Sequence, residues 1–487
     1  MSPTPLRILF AASEMAPYAK TGGLGDVMGS LPDKLARGGD EVHVIMPLYR
    51  QVRAVTSGLR AQKDSLWIWL NDQQLQVPLF TLRRASGVTM WFIDIPRFYD
   101  REDFYGAHNE IYLDSAARFT ALSLCAVELA RQLKPHIIHS HDWFTALCGV
   151  FLKEHAWKKG ELTDTRSVFT IHNLAFQGVF DFYEWPLLNL PYEQFNSHAL
   201  EYYGQINFLK GGIVWADAVT TVSPSYAQEI LTLAQGFGLS GVLSEYRAKL
   251  TGIVNGIDTE VWNPADNSLL PHTYSPRAME GKAKNREELA RRCGFSLGPD
   301  TRILGVISRL TEQKGWPLIR EAFDRLMQRD VALAVLGGGD PDLEAWLLGR
   351  QEQYRGRMSV TIGFNEGLAH LIEAGSDFYL MPSQFEPCGL NQLYSIRYGT
   401  PPIVHAIGGL KDTVIDMEAD DKNGNGFLFQ RHEPGAFLEA VDRALRFERE
   451  NPKAFLRLKL KAMEQDVGWD ESAANYRRLY VNLTGGR

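Results

Sequence analysis

Residues 6–46, LRILFAASEMAPYAKTGGLGDVMGSLPDKLARGGDEVHVIM, decide the fold. An apolar strand over 6–12 leads into a glycine-rich turn at 20–25, an amphipathic helix over 27–37 and a second apolar strand over 41–46. That succession is a βαβ unit. Further apolar strands follow at 136–139, 167–171 and 218–222, alternating with segments of helical period such as 114–132 and 225–234. The pattern restarts near residue 300 with a strand over 303–307, a helix over 316–327 and a strand over 331–336 that runs into Gly337-Gly338-Gly339. Strands at 359–362, 378–381 and 402–405 continue it, so the fold class is α/β, with a parallel sheet in each half. A stretch carrying Asn, Pro and Asp follows Gly252 and places the domain boundary between residues 252 and 253. The last helical segment, 471–483, is assigned to neither half by its own residues.

The length agrees with two domains, because 487 residues exceed the roughly 250–300 at which a single core stops growing. A net charge of −7 argues against nucleic acid or an anionic membrane as partner, so any phosphate site must be local. The first fourteen residues lack a signal-peptide core, and no apolar run approaches a membrane span of about 20 residues. The expected location is the cytoplasm. Cys125, Cys148, Cys293 and Cys388 have no paired spacing and are expected as free thiols.

Three strand-to-helix connections carry candidate chemistry. In Lys20-Thr21-Gly22-Gly23-Leu24-Gly25-Asp26 a glycine turn lets backbone amides approach an anion at the helix start, with Lys20 as a second holder of phosphate. A structural turn accounts equally well for the glycines alone. A dinucleotide site would want an acidic residue after the next strand, where this chain has Pro47-Leu48-Tyr49. Ser308-Arg309-Leu310-Thr311-Glu312-Gln313-Lys314-Gly315 places two cations at a strand end, where they suit a leaving diphosphate; solvated loop charges are the alternative. In Pro382-Ser383-Gln384-Phe385-Glu386-Pro387-Cys388-Gly389-Leu390 a carboxylate precedes helix amides, suited to sugar hydroxyls or else only to the helix dipole. Gly408-Gly409-Leu410-Lys411-Asp412-Thr413 repeats the strand, glycine, helix order. His139-Ser140-His141-Asp142-Trp143 and Thr170-Ile171-His172-Asn173 fall at strand ends in the first half; they lack regular ligand spacing, and no metal is expected there.

Taken in order, KTGGLGD, HSHDW, TIHN, SRLTEQKG, PSQFEPCGL and GGLKDT resemble the bacterial glycogen synthases and plant starch synthases, from Lys20 to about Trp469. The resemblance implies the GT-B arrangement, two Rossmann-like domains facing a deep cleft, with the segment 469–487 returning to the domain 1–252 and residues 253–468 forming the other. It implies retaining transfer of glucose from ADP-glucose to an α-1,4-glucan, with a glucan acceptor as partner and no cofactor. Carried over by motif, Lys20, Gly22, Gly23 and Asp26 would lie at the donor, and Arg309 and Lys314 would hold its diphosphate. Glu386 and the amides of Cys388, Gly389 and Leu390 would meet the glucose hydroxyls, and His172 would sit near the reacting sugar. Asp142, Asn173, Gly409 and Thr413 would complete the donor side, Tyr99 the acceptor side, and Asn255 the hinge region. Gln384 and Asn391 stand where many bacterial members have Arg and Thr.

With no second carboxylate evident opposite Glu386, the expected mechanism is front-face, the leaving diphosphate itself helping to deprotonate the attacking hydroxyl. Three other readings remain at this level: a glucan phosphorylase with a pyridoxal group, a non-catalytic glucan-binding protein, and an NAD-dependent dehydrogenase.

Overall fold

The computed structural model describes residues 4–107 and 110–486. The chain forms two compact units, one of Met1–Asn255 with Trp469–Arg487 and one of Gly256–Gly468. The division falls after Asn255 rather than after 252. The strand Leu250–Gly252 pairs with Ala218–Thr221, and the Ile253 amide still donates to the Thr221 carbonyl at 2.8 Å, so the ladder runs past the expected boundary.

The first unit is built on a nine-stranded sheet whose order, by first residue, is 250–218–166–137–7–41–89–79–60. All pairs from 250 to 89 are parallel; the two at the other edge are antiparallel. Arg7–Ala11 lies between Ile137–His141 and Glu41–Pro47, and its residues from Ile8 on are fully buried. A strand covered on both faces has no polar side to show, hence the unbroken apolar run. The helix Gly23–Arg37 buries Val27, Met28, Leu31 and Leu35, one stripe at helical spacing. It begins at Gly23, so the glycine run forms the helix's first turn rather than a loop ahead of it. The helix expected over 225–234 is shorter, Pro224–Glu229, and the chain then turns through Gly236 and Gly238, the latter at φ +82°.

The C-terminal helix Asp470–Leu483 belongs to this unit. Tyr476 and Tyr480 are fully buried, the Tyr480 hydroxyl lies 2.7 Å from His139 Nδ1, Arg477 pairs with Asp40 at 3.1 Å, and Ser472 donates to the Val254 carbonyl. Outside the main sheet, Leu66–Leu70 and Gln73–Val77 form an antiparallel hairpin closed at Asn71 in the left-handed region (φ +57°).

The second unit has six parallel strands in the order 358–331–302–378–402–427. Its larger core packs Trp316, Ile319, Phe323 and Leu326 of the helix Trp316–Leu326 against Leu304, Leu333 and Val335 of the sheet. Phe378–Met381 and Pro402–His405 span the residues expected from sequence.

Candidate active site

In the second unit, three loops leave the carboxyl ends of the neighbouring strands Arg302–Ile307, Phe378–Met381 and Pro402–His405, where ligands of open α/β sheets bind. They are zipped together. The Gln384 amide donates to the Gln313 carbonyl at 2.9 Å, His405 Nδ1 lies 2.8 Å from the Ser383 carbonyl, and the Gly409 amide reaches the carbonyl of Glu386 at 3.0 Å. Gly315 sits at φ +78°, and a Cβ there would be 1.9 Å from the Pro382 carbonyl oxygen. The two loops meet only because that position has no side chain.

Packing of these loops brings Lys314 Nζ to 2.6 Å from Glu386 Oε2, an oxygen that also accepts from Ser383 Oγ at 2.9 Å. Glu386 is 5% exposed, so its charge is compensated at both contacts. Arg309, on the same loop as Lys314, is exposed, its guanidinium 3.3 Å from Gln313 Oε1, while its carbonyl accepts from Trp316 Nε1. Arg309 and Lys314 place two cations on one strand-end loop, suited to a diphosphate. The amides of Gly389 and Leu390 donate no hydrogen bond to described residues. Cys388 is buried and its carbonyl accepts from Gln392. Asn391 donates to the Ile307 carbonyl and the Tyr379 hydroxyl, both at 2.7 Å, tying the loop to the sheet.

The first unit mirrors this arrangement at the ends of the adjacent strands Arg7–Ala11, Ile137–His141 and Arg166–Ile171. Gly22 and Gly23 are exposed at the helix start, and Lys20 pairs with Asp26 at 2.6 Å. Asp142 holds a left-handed backbone (φ +52°) and accepts from the His172 amide at 2.7 Å and, more weakly, from that of Asn173 at 3.4 Å. A non-glycine residue there costs about 1 kcal/mol or more, a strain typical of functional turns. His172 Nε2 lies 2.9 Å from His141 Nδ1, which fixes the ring and leaves its Nδ1 as the other polar edge. Burial pushes His172 down to about 3, so it is neutral at ordinary pH, and pushes Asp142 up to about 7 against the lowering effect of the two amides. Asn173 Oδ1 accepts from the Ala175 amide, and Asn255 is buried with Oδ1 unbonded.

Three expected site residues are placed otherwise. Tyr99 is fully buried, donating its hydroxyl to the Arg118 carbonyl at 2.6 Å, and offers no surface to an acceptor. The Gly409 amide, expected at the donor, is spent on the carbonyls of Glu386 and Pro387. Thr413 bonds the Gly409 carbonyl at 2.6 Å and accepts from Gln392 at 3.0 Å. Both knit the loop rather than face out of it. One residue was missed: Glu14, buried, bonds the amide and the hydroxyl of Thr21, the latter at 3.0 Å, and so fixes the turn that carries Lys20. Burial raises its carboxyl to about 7 despite those bonds.

Among the described residues no group of three or more His, Cys, Asp and Glu is placed to hold a metal ion, and no helix is long and apolar enough to cross a membrane.

Known proteins resemble nearly the whole chain. The family described as starch synthase catalytic domain matches residues 7–245, and glycosyl transferases group 1 matches 294–457. A glycogen synthase of Anaeromyxobacter sp. (strain Fw109-5) is 43% identical over 98% of this chain and 99% of its own, and one of Myxococcus xanthus (strain DK1622) is 42% identical over 98% and 99%. The catalytic domain of starch synthase IV from Arabidopsis thaliana, solved with ADP and acarbose, superposes with a TM-score of 0.91 at 33% identity, covering 99% of this chain and 100% of that one. A sucrose-phosphate synthase from Thermosynechococcus elongatus shares the fold alone, with a TM-score of 0.59 at 16% identity over 99% of each chain. The chain belongs to the glycogen and starch synthase family of GT-B glucosyltransferases.

Proposed function

We propose that this glucosyltransferase takes glucose from ADP-glucose, adds it with retention to the non-reducing end of an α-1,4-glucan and releases ADP. The observation that carries the reading is the Lys314–Glu386 pair at the ends of neighbouring strands, with Arg309 on the loop of Lys314. Arg309 and Lys314 neutralise the diphosphate as the glycosidic bond breaks, and Glu386 receives sugar hydroxyls on its remaining oxygen. In the first unit, Lys20, Gly22 and Gly23 at the helix start and His172, Asp142 and Asn173 at the neighbouring strand ends offer polar groups to a nucleotide-sugar. The starch synthase relative solved with ADP supports the choice of base.

A front-face course fits the electrostatics of Glu386. Glu386 Oε2 is engaged by Lys314 and Ser383 and its other oxygen takes sugar hydroxyls, so in this course the diphosphate oxygen takes the proton from the attacking glucan hydroxyl. The enzyme works in the cytoplasm with neither metal nor organic cofactor in this proposal. Incubation with glycogen and either ADP-glucose or UDP-glucose, following nucleotide release and polymer growth, tests it directly. Faster turnover with ADP-glucose, unchanged after dialysis against a chelator, is expected; absence of polymer growth with both donors, or capture of a glucosyl-enzyme adduct by mass spectrometry, overturns the respective part.

A further inference from the structure

The hairpin Leu66–Leu70/Gln73–Val77 has two unlike faces. Leu66, Ile68, Leu70 and Val77 are buried, while Trp67 and Trp69 on the opposite face are 52% and 55% exposed. Their partners across the ladder are Gln76 and Gln74, both exposed. Residues two apart on a strand stand about 6.5–7 Å apart on the same side. Two indoles in a row, edged by neutral amides, therefore form one open strip. A large aromatic costs free energy to leave in water. Asn189 donates to the Trp69 carbonyl at 3.0 Å, and the short 3-10 helices on either side of Asn189 expose Tyr183 at 89% and Tyr192 at 65%.

We propose that Trp67 and Trp69 form a glucan-holding platform on this hairpin, built from none of the residues of the strand-end loops. Aromatic faces stack on the C–H faces of sugar rings while flanking amides take hydroxyls, the usual division of labour in a site for a neutral, amphipathic ligand. Charge fits this occupant and no anionic one: from Leu66 to Val77 the sole charged side chain is Asp72, so phosphate, nucleic acid and acidic lipid find no cation. The identity of the glucan as α-1,4-linked rests on the transfer reading above. A branched polymer held at a second point raises the local concentration of its chain ends, which a short acceptor cannot exploit.

The experiment compares the full-length wild type with W67A/W69A and W67Y/W69Y. Retardation in native gels containing glycogen needs no donor, and kinetics with ADP-glucose are run on glycogen and on maltotriose. The platform predicts that W67A/W69A loses roughly tenfold in glycogen affinity and gains a similar factor in KM for glycogen, with maltotriose kinetics unchanged and partial recovery in W67Y/W69Y. Unchanged glycogen retardation overturns the proposal. Equal losses on glycogen and maltotriose overturn it too, because the tryptophans then serve the fold or the reaction itself. Failure of the wild type to extend either acceptor sinks the transfer reading instead, while gel retardation still decides the platform.

Discussion

Lys314 and Glu386 are partners as well as candidate participants, and their two roles separate by experiment. Removing Lys314 leaves a nearly buried carboxylate short of its cation, which costs several kcal/mol in a fully buried pair and less here, where Lys314 is 18% exposed. Lys314→Ala is expected to lower both the melting temperature and kcat, the latter by about 10²–10³. The double variant Lys314→Ala/Glu386→Gln removes the orphaned charge, so thermal stability recovers while kcat stays low. Recovery of turnover along with stability would make the pair purely structural. Glu14 gives the pH counterpart. Its carboxyl is raised from the ordinary 4.5 to about 7, so between those values the folded protein holds a proton that the unfolded chain has released. Stability from this group is complete below about pH 4.5 and falls as pH rises through 7, by roughly 3 kcal/mol in all. Glu14→Gln stays neutral at every pH, and its melting temperature relative to wild type is expected to rise steadily from pH 4.5 to 8. Parallel curves would mean that Glu14 ionises normally.

At the scale of elements, the turn around Gly315 links the loop of Arg309 and Lys314 to that of Glu386. Alanine at 315 adopts an unfavourable left-handed backbone and meets the Pro382 carbonyl, so Gly315→Ala is expected to cost at least about 2 kcal/mol and to lower turnover by displacing Lys314. Calorimetry and kcat together check it; a variant as stable and active as wild type would show the two loops to be independent. This scale also marks what sequence can convey. Strands buried on both faces were legible because burial writes an unbroken apolar run, as in Phe378–Met381 and Pro402–His405. The hairpin escaped notice because exposed Trp67 and Trp69 fill the positions that a polar residue would normally mark, erasing the period of two in LWIWL. The candidate loops were each visible, yet their pairing was not. Lys314 and Glu386 are joined by the adjacency of strands 302 and 378, which skips two intervening strands in chain order. Glu14 carries no local signal at all, since its meaning depends on Thr21 folding back upon it.

At the scale of the molecule, the first unit is discontinuous, and the second is an insertion within it. The C-terminal helix supplies the first unit with Tyr476 and Tyr480, both fully buried, and with Arg477 against the buried carboxylate of Asp40. Without it His139, which burial keeps far below its ordinary pKa, loses the hydroxyl of Tyr480 as a partner, and the interior face of the sheet opens to water. Burying a Tyr is worth a few kcal/mol, a large share of the 5–15 kcal/mol by which a domain is stable. Residues 256–468 alone are therefore expected to unfold in one cooperative transition, since their core is continuous in sequence. Residues 1–255 alone are expected to lack a sharp transition and to regain it when a peptide of residues 469–487 is added in excess, its binding coupled to folding. Circular dichroism melts of the three samples decide this. A sharp melt of 1–255 with no gain from the peptide would show that the returning helix decorates the first unit without completing it.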